Sequence, residues 1–126
     1  MNLPEDLKYT KNHEWLKVDG DTAIIGISDY AQGELGDIVF IEIETEGEEL
    51  DKEEVFGTIE AVKTVSDVFM PVSGNVEEVN PELEDSPDLV NKDPYGKGWL
   101  IKVKMSDPAE ADDLMDVEKY KEFIEA

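Results

Sequence analysis

Two apolar, β-branched segments meet at a single lysine in the run Gly57-Thr-Ile-Glu-Ala-Val-Lys-Thr-Val-Ser-Asp-Val-Phe-Met-Pro-Val-Ser-Gly74. Strand-forming residues bounded by glycines predict a β-hairpin, and its midpoint falls at Val62 and Lys63. The ammonium group of Lys63 is therefore expected to project from the turn. The turn lacks the Asn-Gly or Asp-Gly pair that tight hairpins favour, so its sequence serves something other than easy turn formation.

The segments before and after this run also carry strand signals. A hairpin is predicted around Asp19-Gly20-Asp21, between the strands 15–18 and 22–27. Alternation over 37–44 predicts a strand whose core face carries Val39, Ile41 and Ile43. A closing strand is predicted over 99–105, with four inward side chains: Trp99, Ile101, Val103 and Met105.

Two helices are predicted at the edges of this β-rich chain. Ser28 is a candidate N-cap for a short helix through Leu35, which Gly36 ends as a C-terminal cap. Pro108 after Asp107 predicts the start of a C-terminal helix over about 108–125. Its apolar residues recur at helical spacing and are expected to pack on the chain's own domain: Leu114, Val117, Tyr120, Phe123 and Ile124.

Composition limits the classes of function. The chain has 126 residues, enough for one core, and its 33 acidic and 11 basic residues give a formal charge of −22. This charge argues against nucleic acid or an anionic membrane as partner, because either surface would repel it. Docking onto basic enzyme surfaces and simple solubility or environmental adaptation explain the charge equally well.

The chain contains no cysteine, so redox or acyl-thiol chemistry would have to come from a prosthetic group. His13 is the only histidine, and we expect it to be structural, with neither a metal site nor a catalytic residue in the chain. No leader peptide or bilayer-spanning segment is visible, which predicts a cytoplasmic protein.

A family resemblance is carried by Lys63 and its surroundings. The motif Glu60-Ala-Val-Lys63-Thr resembles the attachment site of biotinyl and lipoyl carrier domains, where a ligase acylates the lysine of an exposed hairpin. Further motifs resemble the H proteins of the glycine cleavage system in order and spacing, from about Tyr9 to Phe123. They are His13-Glu-Trp15, Gly26-Ile27, Leu35-Gly-Asp-Ile-Val39, Ser66-Asp-Val68, Pro71-Val-Ser-Gly-Asn-Val-Glu-Glu-Val-Asn80, Leu89-Val-Asn-Lys-Asp-Pro-Tyr95 and Gly98-Trp-Leu100.

The resemblance implies a fold and a set of site residues. The fold would be mainly β, an antiparallel barrel-sandwich hybrid with short peripheral helices and a C-terminal helix. Residues 1–126 would form one lipoyl-carrier domain, with the lipoyl-bearing hairpin at about 55–70. Lys63 would carry lipoate covalently, Glu60 would serve recognition by the ligase, and Glu14 and Asp67 would lie near the cleft that receives the arm.

The function implied by the resemblance is a relay without catalysis by the carrier itself. A lipoate ligase or lipoyl transferase would modify the lysine. Glycine decarboxylase, a pyridoxal phosphate enzyme, would load an aminomethyl group onto the arm, and the tetrahydrofolate-dependent aminomethyltransferase would remove it. Dihydrolipoyl dehydrogenase would then reoxidise the arm. A monomer is expected, and the carrier contributes tethering, which raises the local concentration of the arm.

Three alternatives remain at this point. The first is an H-protein-like lipoyl carrier of another pathway, such as lipoyl relay or sulfur metabolism. The second is a biotin carrier, although that family usually has Met on both sides of the lysine and this chain has Val62 and Thr64. The third is an acidic interaction protein without the modification, or an unrecognised enzyme. Departures from the common family pattern at Asn12 and at Glu44-Thr-Glu-Gly47 leave the partners open.

Overall fold

A computed structural model of the protein describes residues 2–125. The strands are β1 (Lys8–Tyr9), β2 (Glu14–Asp19), β3 (Thr22–Ile27), β4 (Ile38–Glu42), β5 (Glu49–Leu50), β6 (Val55–Ala61), β7 (Val65–Phe69), β8 (Gly74–Val79) and β9 (Ile101–Met105). The helices are α1 (Asp29–Leu35), α2 (Leu89–Lys92) and α3 (Val117–Glu125), with 3₁₀ turns at Pro81–Leu83 and Pro108–Asp113. Among the described residues no helix has the length and apolarity needed to cross a bilayer.

The strands form two antiparallel sheets. The larger has the order β1-β2-β3-β9-β8-β5, and the smaller has the order β4-β6-β7. Buried apolar side chains from both sheets form the main core, which includes Ile25, Ile59 and Val103, all inaccessible to solvent. The smaller sheet carries the β6–β7 hairpin, so the shared core fixes this hairpin against the rest of the molecule.

Local signals for turns and caps correctly predicted the elements next to the hairpin. Asp19 pairs with Thr22 across a two-residue turn, and Gly20 has the positive φ of 65° that such a turn requires. The Ser28 hydroxyl accepts a hydrogen bond from the Ala31 N–H at the start of α1. Gly36 ends that helix with φ of 80°. The predicted hairpin and both predicted helix caps are confirmed.

A second apolar cluster attaches the C-terminal helix to the larger sheet. It contains Tyr9, Trp15, Val117 and Tyr120, and the rings of Tyr9 and Tyr120 stack with centroids 4.5 Å apart. The prediction that the C-terminal apolar residues pack on the chain's own domain is confirmed for Val117 and Tyr120. Phe123 lies at the edge and is 43% exposed.

The C-terminal segment is not one continuous helix over 108–125. Asp107 caps a 3₁₀ turn as a helix start, but the backbone is extended at Leu114, before α3 begins at Val117. Met115 forms an isolated β-bridge with Tyr9 in two backbone hydrogen bonds of 2.8 and 3.0 Å. Those backbone groups bond to another strand and cannot also serve a helix, so the helix is interrupted here.

The prediction that Val39 faces the core is wrong, and Trp99 is buried only in part. Val39 is 53% exposed, because the pairing of β4 with β6 shifts between Ile38 and Phe40 and breaks the simple alternation. Trp99 lies before β9; it is partly buried against the second apolar cluster, and the Lys102 ammonium lies 4.9 Å from its ring centroid. The remaining inward residues of β9 are buried as predicted: Ile101, Val103 and Met105.

Candidate functional site

Lys63 lies at the tip of the hairpin formed by β6 and β7. The Ala61 N–H donates to the Thr64 carbonyl over 2.8 Å, which closes the turn around Val62 and Lys63. Both tip residues are exposed, and Val62 is 74% accessible. Within residues 2–125 no ion pair involves Lys63. The amine is therefore accessible to a modifying enzyme.

The backbone of the tip is anchored outside its own hairpin. The Val62 N–H donates to the Asp37 carbonyl over 2.9 Å, which joins the tip to the connection between α1 and β4. The stem of Lys63 crosses Gly36 so closely that a Cβ added there would lie 3.1 Å from Lys63 Cε. The φ of 80° at Gly36 favours glycine at this crossing.

Asn91 of α2 holds the anchoring connection in place. Its Nδ2 donates to the Gly36 carbonyl over 2.9 Å and to Gln32 Oε1 over 3.0 Å. Its Oδ1 accepts from the Ile38 N–H over 2.9 Å. One side chain therefore satisfies three groups where α1 ends and β4 begins, including the carbonyl of Gly36, which the lysine stem crosses.

A cleft of about 260 Å³ opens beside this connection. Leu35, which lies in its wall, directly precedes Gly36, the residue that the lysine stem crosses. The lining residues are Asn12, His13, Ile27, Tyr30, Ala31, Glu34, Leu35, Ile59, Ser66, Asp67 and Val68. The cleft thus combines an apolar wall with two carboxylates.

The four residues predicted for the site fall in four different environments. Lys63 is at the tip, and Glu60 is exposed on the outer face of β6, between its cross-strand neighbours Phe40 and Val65. Asp67 is exposed in the cleft wall. Glu14 is buried and does not line the cleft.

Glu14 is a fully enclosed carboxyl group that connects β2 to β7. It is 1% exposed; its Oε1 accepts from the Thr10 hydroxyl over 2.7 Å and its Oε2 accepts from the Phe69 N–H over 3.1 Å. Burial raises the pKa of Glu14 to about 7, although both hydrogen bonds favour the charged form. Because Phe69 is two residues beyond Asp67, Glu14 fixes the strand that carries the cleft carboxylate.

Comparison with known proteins identifies the family. The sequence profile of the family described as glycine cleavage H-protein matches residues 7–126. The chain belongs to this family. It is 60% identical over 126 residues to the glycine cleavage system H protein of Bacteroides fragilis, with 100% of both chains covered. Its identity to the corresponding protein of Bacteroides thetaiotaomicron is 58% over 124 residues, with 98% of each chain covered.

A solved structure agrees with this assignment. The crystal structure of a glycine cleavage system H protein from Mycobacterium marinum has a TM-score of 0.89 and 35% sequence identity to this chain. The match covers 98% of this chain and 100% of that one. The predicted resemblance to the H-protein family is confirmed, and so is the predicted mainly β, lipoyl-carrier-like barrel-sandwich fold.

Sequence reasoning missed part of the cleft of this H-protein family member. Glu34 and Tyr30 both line it, and His13, which we expected to be only structural, also lies in its wall. A signal for the helical residues exists in the sequence, because positions four apart share one face of a helix. Tyr30 with Glu34, and Ala31 with Leu35, are two such pairs on α1. No local pattern indicated that His13, whose backbone φ is 69°, lies in the cleft wall.

Proposed function

We propose that this chain is the lipoyl carrier of a glycine cleavage system and that lipoate is attached through an amide to Nζ of Lys63. The observation that carries this proposal is an exposed lysine at a hairpin tip whose backbone is anchored from outside the hairpin. Membership in the glycine cleavage H-protein family supports it. When bound, the lipoyl group supplies a disulfide that can be reduced and a sulfur that can accept an aminomethyl group.

The residues around Lys63 fit such an arm. The amine is accessible for acylation, and the stem lies against Gly36, which directly follows Leu35 of the cleft wall. The partly exposed apolar side chains of the cleft, Ala31 and Leu35, suit the hydrocarbon chain. The carboxylates suit a cationic end group. The cleft volume of about 260 Å³ lies near the lower limit for ligand pockets, so it receives only the end of the arm.

Within this proposal the predicted site residues have separate roles. Asp67 faces the cleft and would contact the amine of the loaded arm. Glu14 is enclosed, so we propose that it acts on the arm only through Phe69 and the course of β7. Glu60 is exposed near Lys63 and would be read by the lipoate ligase or lipoyl transferase.

The chain would act as one carrier domain over 1–126, with the lipoyl-bearing hairpin at about 55–70, and without a catalytic residue of its own. Its partners would be glycine decarboxylase, the aminomethyltransferase, dihydrolipoyl dehydrogenase and the lipoylating enzyme. A formal charge of −22 suits basic docking surfaces on these enzymes and repels nucleic acid. We propose a monomer that acts in the cytoplasm, as expected for a relative of bacterial H proteins.

The attachment site is tested by lipoylation in vitro. The unmodified protein is incubated with a lipoate ligase, ATP and lipoate, and its intact mass is measured. We expect one lipoyl increment on the wild type and none on Lys63→Arg, which keeps the charge. Lys17→Arg, a substitution at an exposed lysine on β2, is the matched control and should be lipoylated normally. Lipoylation of Lys63→Arg, or none of the wild type, would contradict the proposal.

The same assay tests the role of Glu60 and the biotin-carrier alternative. Glu60→Gln should slow lipoylation at least about tenfold without changing the melting temperature, because Glu60 is exposed and lies outside the core. A parallel incubation with a biotin ligase should give no mass increment. A biotinyl increment would instead favour the biotin-carrier alternative.

The pathway is tested with the partner enzyme. Lipoylated protein should support exchange of labelled bicarbonate into glycine by the decarboxylase from the same source, and unlipoylated protein should not. If lipoylated protein gives no exchange, the carrier serves another lipoyl-dependent pathway.

A further inference from the structure

A hydrogen-bonded chain links the C-terminal helix to the cleft wall. His13 Nδ1 lies 2.9 Å from the Tyr120 hydroxyl oxygen, and that oxygen lies 2.7 Å from the Ser28 hydroxyl oxygen. Ser28 also accepts from the Ala31 N–H over 3.1 Å. Tyr120 and Ser28 are both inaccessible to solvent. The imidazole is packed between the rings of Tyr30 and Phe123, with centroids 5.0 and 5.8 Å away.

The available hydroxyl protons determine which atom donates in each hydrogen bond of this hydrogen-bonded chain. Among the described residues, Ser28 Oγ has only Tyr120 and Ala31 as hydrogen-bond partners. Ala31 donates to it, so the serine proton has only Tyr120 as acceptor. The Tyr120 proton must then go to His13 Nδ1, which leaves the imidazole proton on Nε2. The opposite direction would leave a buried serine hydroxyl proton without an acceptor, which is unfavourable.

We propose that Tyr120 is a positioning residue for the cleft: its hydroxyl, oriented by Ser28, holds His13 as the neutral Nε2–H tautomer, with Nε2 available to the cleft. The C-terminal helix thereby sets the charge of the cleft wall. Protonating His13 would put a proton on Nδ1 and reverse the chain. The tertiary contact therefore opposes a positive charge at this position.

The charged and titratable groups around His13 explain why its charge matters. Glu34 and Tyr30 face it from α1, Tyr120 from α3, and Asp67 lies in the same cleft on β7. Burial lowers the pKa of His13, against the nearby Glu34 carboxylate, which raises it. With His13 neutral, the cleft holds two carboxylates and no cation, which favours a cationic end group. This last step rests on the proposed function of the cleft.

The chain itself is tested by nuclear magnetic resonance on the unlipoylated protein. The ¹⁵N shifts of the imidazole, unique because His13 is the only histidine, should show an unprotonated Nδ1 in the wild type at neutral pH. Tyr120→Phe should raise the pKa of His13 by about one unit, as expected for one lost hydrogen bond to the neutral form. Tyr95→Phe is the matched control. Tyr95 is a neighbouring aromatic residue, and its hydroxyl accepts from the Asp29 N–H and donates to the Asn2 carbonyl. Removing this hydroxyl should leave the pKa of His13 unchanged.

Two results would overturn the proposal at this stage. One is a wild-type imidazole with its proton on Nδ1. The other is a pKa of His13 that moves equally in Tyr120→Phe and Tyr95→Phe. The wild-type measurement requires no variant, so it remains decisive if Tyr120→Phe does not fold.

The effect on the arm is tested with lipoylated protein reduced and charged chemically with formaldehyde and ammonia. Hydrolysis takes up one water and returns the thiol, formaldehyde and ammonium, so ammonium release reports loss of the end group. Tyr120→Phe should release it about fivefold faster than the wild type at pH 6 and at the same rate at pH 8, where His13 is neutral in both. Equal rates at pH 6, with Asp67→Asn accelerated, would overturn this inference alone. If Asp67→Asn were also unaffected, both this inference and the proposed cleft would fail.

Discussion

Replacing Glu14 by Gln is expected to remove a large part of the pH dependence of folding. Burial raises the pKa of Glu14 from 4.5 to about 7, so the folded state binds more protons than the unfolded state between these values. Stability therefore falls as pH rises through this window. Above pH 7, this pKa shift lowers the free energy of unfolding by about 3 kcal/mol.

The substitution also has an effect that does not depend on pH. Glu14 accepts two hydrogen bonds, from the Thr10 hydroxyl and from the Phe69 N–H. The Gln side chain has one oxygen, so it can accept only one of them, and its amide NH₂ meets a donor at the other position. A buried, unsatisfied donor costs about 1–3 kcal/mol at every pH.

Together these effects predict that the stability curves of wild type and variant converge or cross. At pH 5 Glu14→Gln should have a lower free energy of unfolding than the wild type. Between pH 5 and pH 8 only the wild type should lose about 2–3 kcal/mol, so by pH 8 the difference should be smaller or of opposite sign. Urea unfolding at pH 5 to 8, followed by tryptophan fluorescence, measures it. Glu48→Gln, at an exposed position, is the matched control and should give a curve parallel to that of the wild type. Parallel curves for Glu14→Gln would refute the reasoning, because they would mean that the buried carboxyl does not change its protonation with folding.

Three further outcomes follow from the packing, the support of the hairpin tip and the net charge. Gly26→Ala should lower the free energy of unfolding by about 2–3 kcal/mol, because its Cβ would lie 2.6 Å from Trp15 Nε1. Gly33→Ala, in helix α1 with nothing within 4 Å, should instead raise it by about 0.5–1 kcal/mol; urea unfolding compares the two. Asn91→Ala should cost about 3 kcal/mol through its three lost hydrogen bonds and should speed hydrogen exchange at the Val62 amide; unchanged exchange would contradict the anchoring. Because the formal charge is −22, the urea midpoint at pH 7 should rise with NaCl, and a fall would mean that repulsion does not limit stability.

The parts of the fold that the sequence predicted are those with local causes. The turn at Gly20 needs a positive φ, and the caps of α1 need a hydroxyl at Ser28 and a glycine at Gly36. Each requirement is met by a residue type at one position, so it can be recognised without knowing the rest of the structure. The hairpin that carries Lys63 was likewise indicated by β-branched residues between glycines.

The parts that could not be predicted depend on contacts between distant segments. The C-terminal helix is interrupted because Met115 pairs with Tyr9, more than one hundred residues earlier in the chain. Val39 is exposed because β4 and β6 pair with a shifted register, which no pattern within β4 reveals. The chain from Ser28 through Tyr120 to His13 likewise joins the end of the β2–β3 hairpin to a helix 92 residues beyond Ser28. Glu14 has an ordinary sequence context, and only its burial changes its pKa.

The anchoring of the tip explains why the turn at Lys63 lacks a favourable turn sequence. A tight hairpin usually depends on residues such as Asn-Gly to fix its own backbone. Here the Val62 N–H bonds to the Asp37 carbonyl, and Asn91 supports the same connection from below. Since the backbone is held by tertiary contacts, the tip can carry an exposed valine and lysine for recognition without fraying. A tether that starts from a fixed point samples a smaller volume than one that starts from a mobile loop, which raises its effective concentration at a docked partner's active site. The unfavourable turn sequence and the rigid support are therefore two consequences of the same requirement.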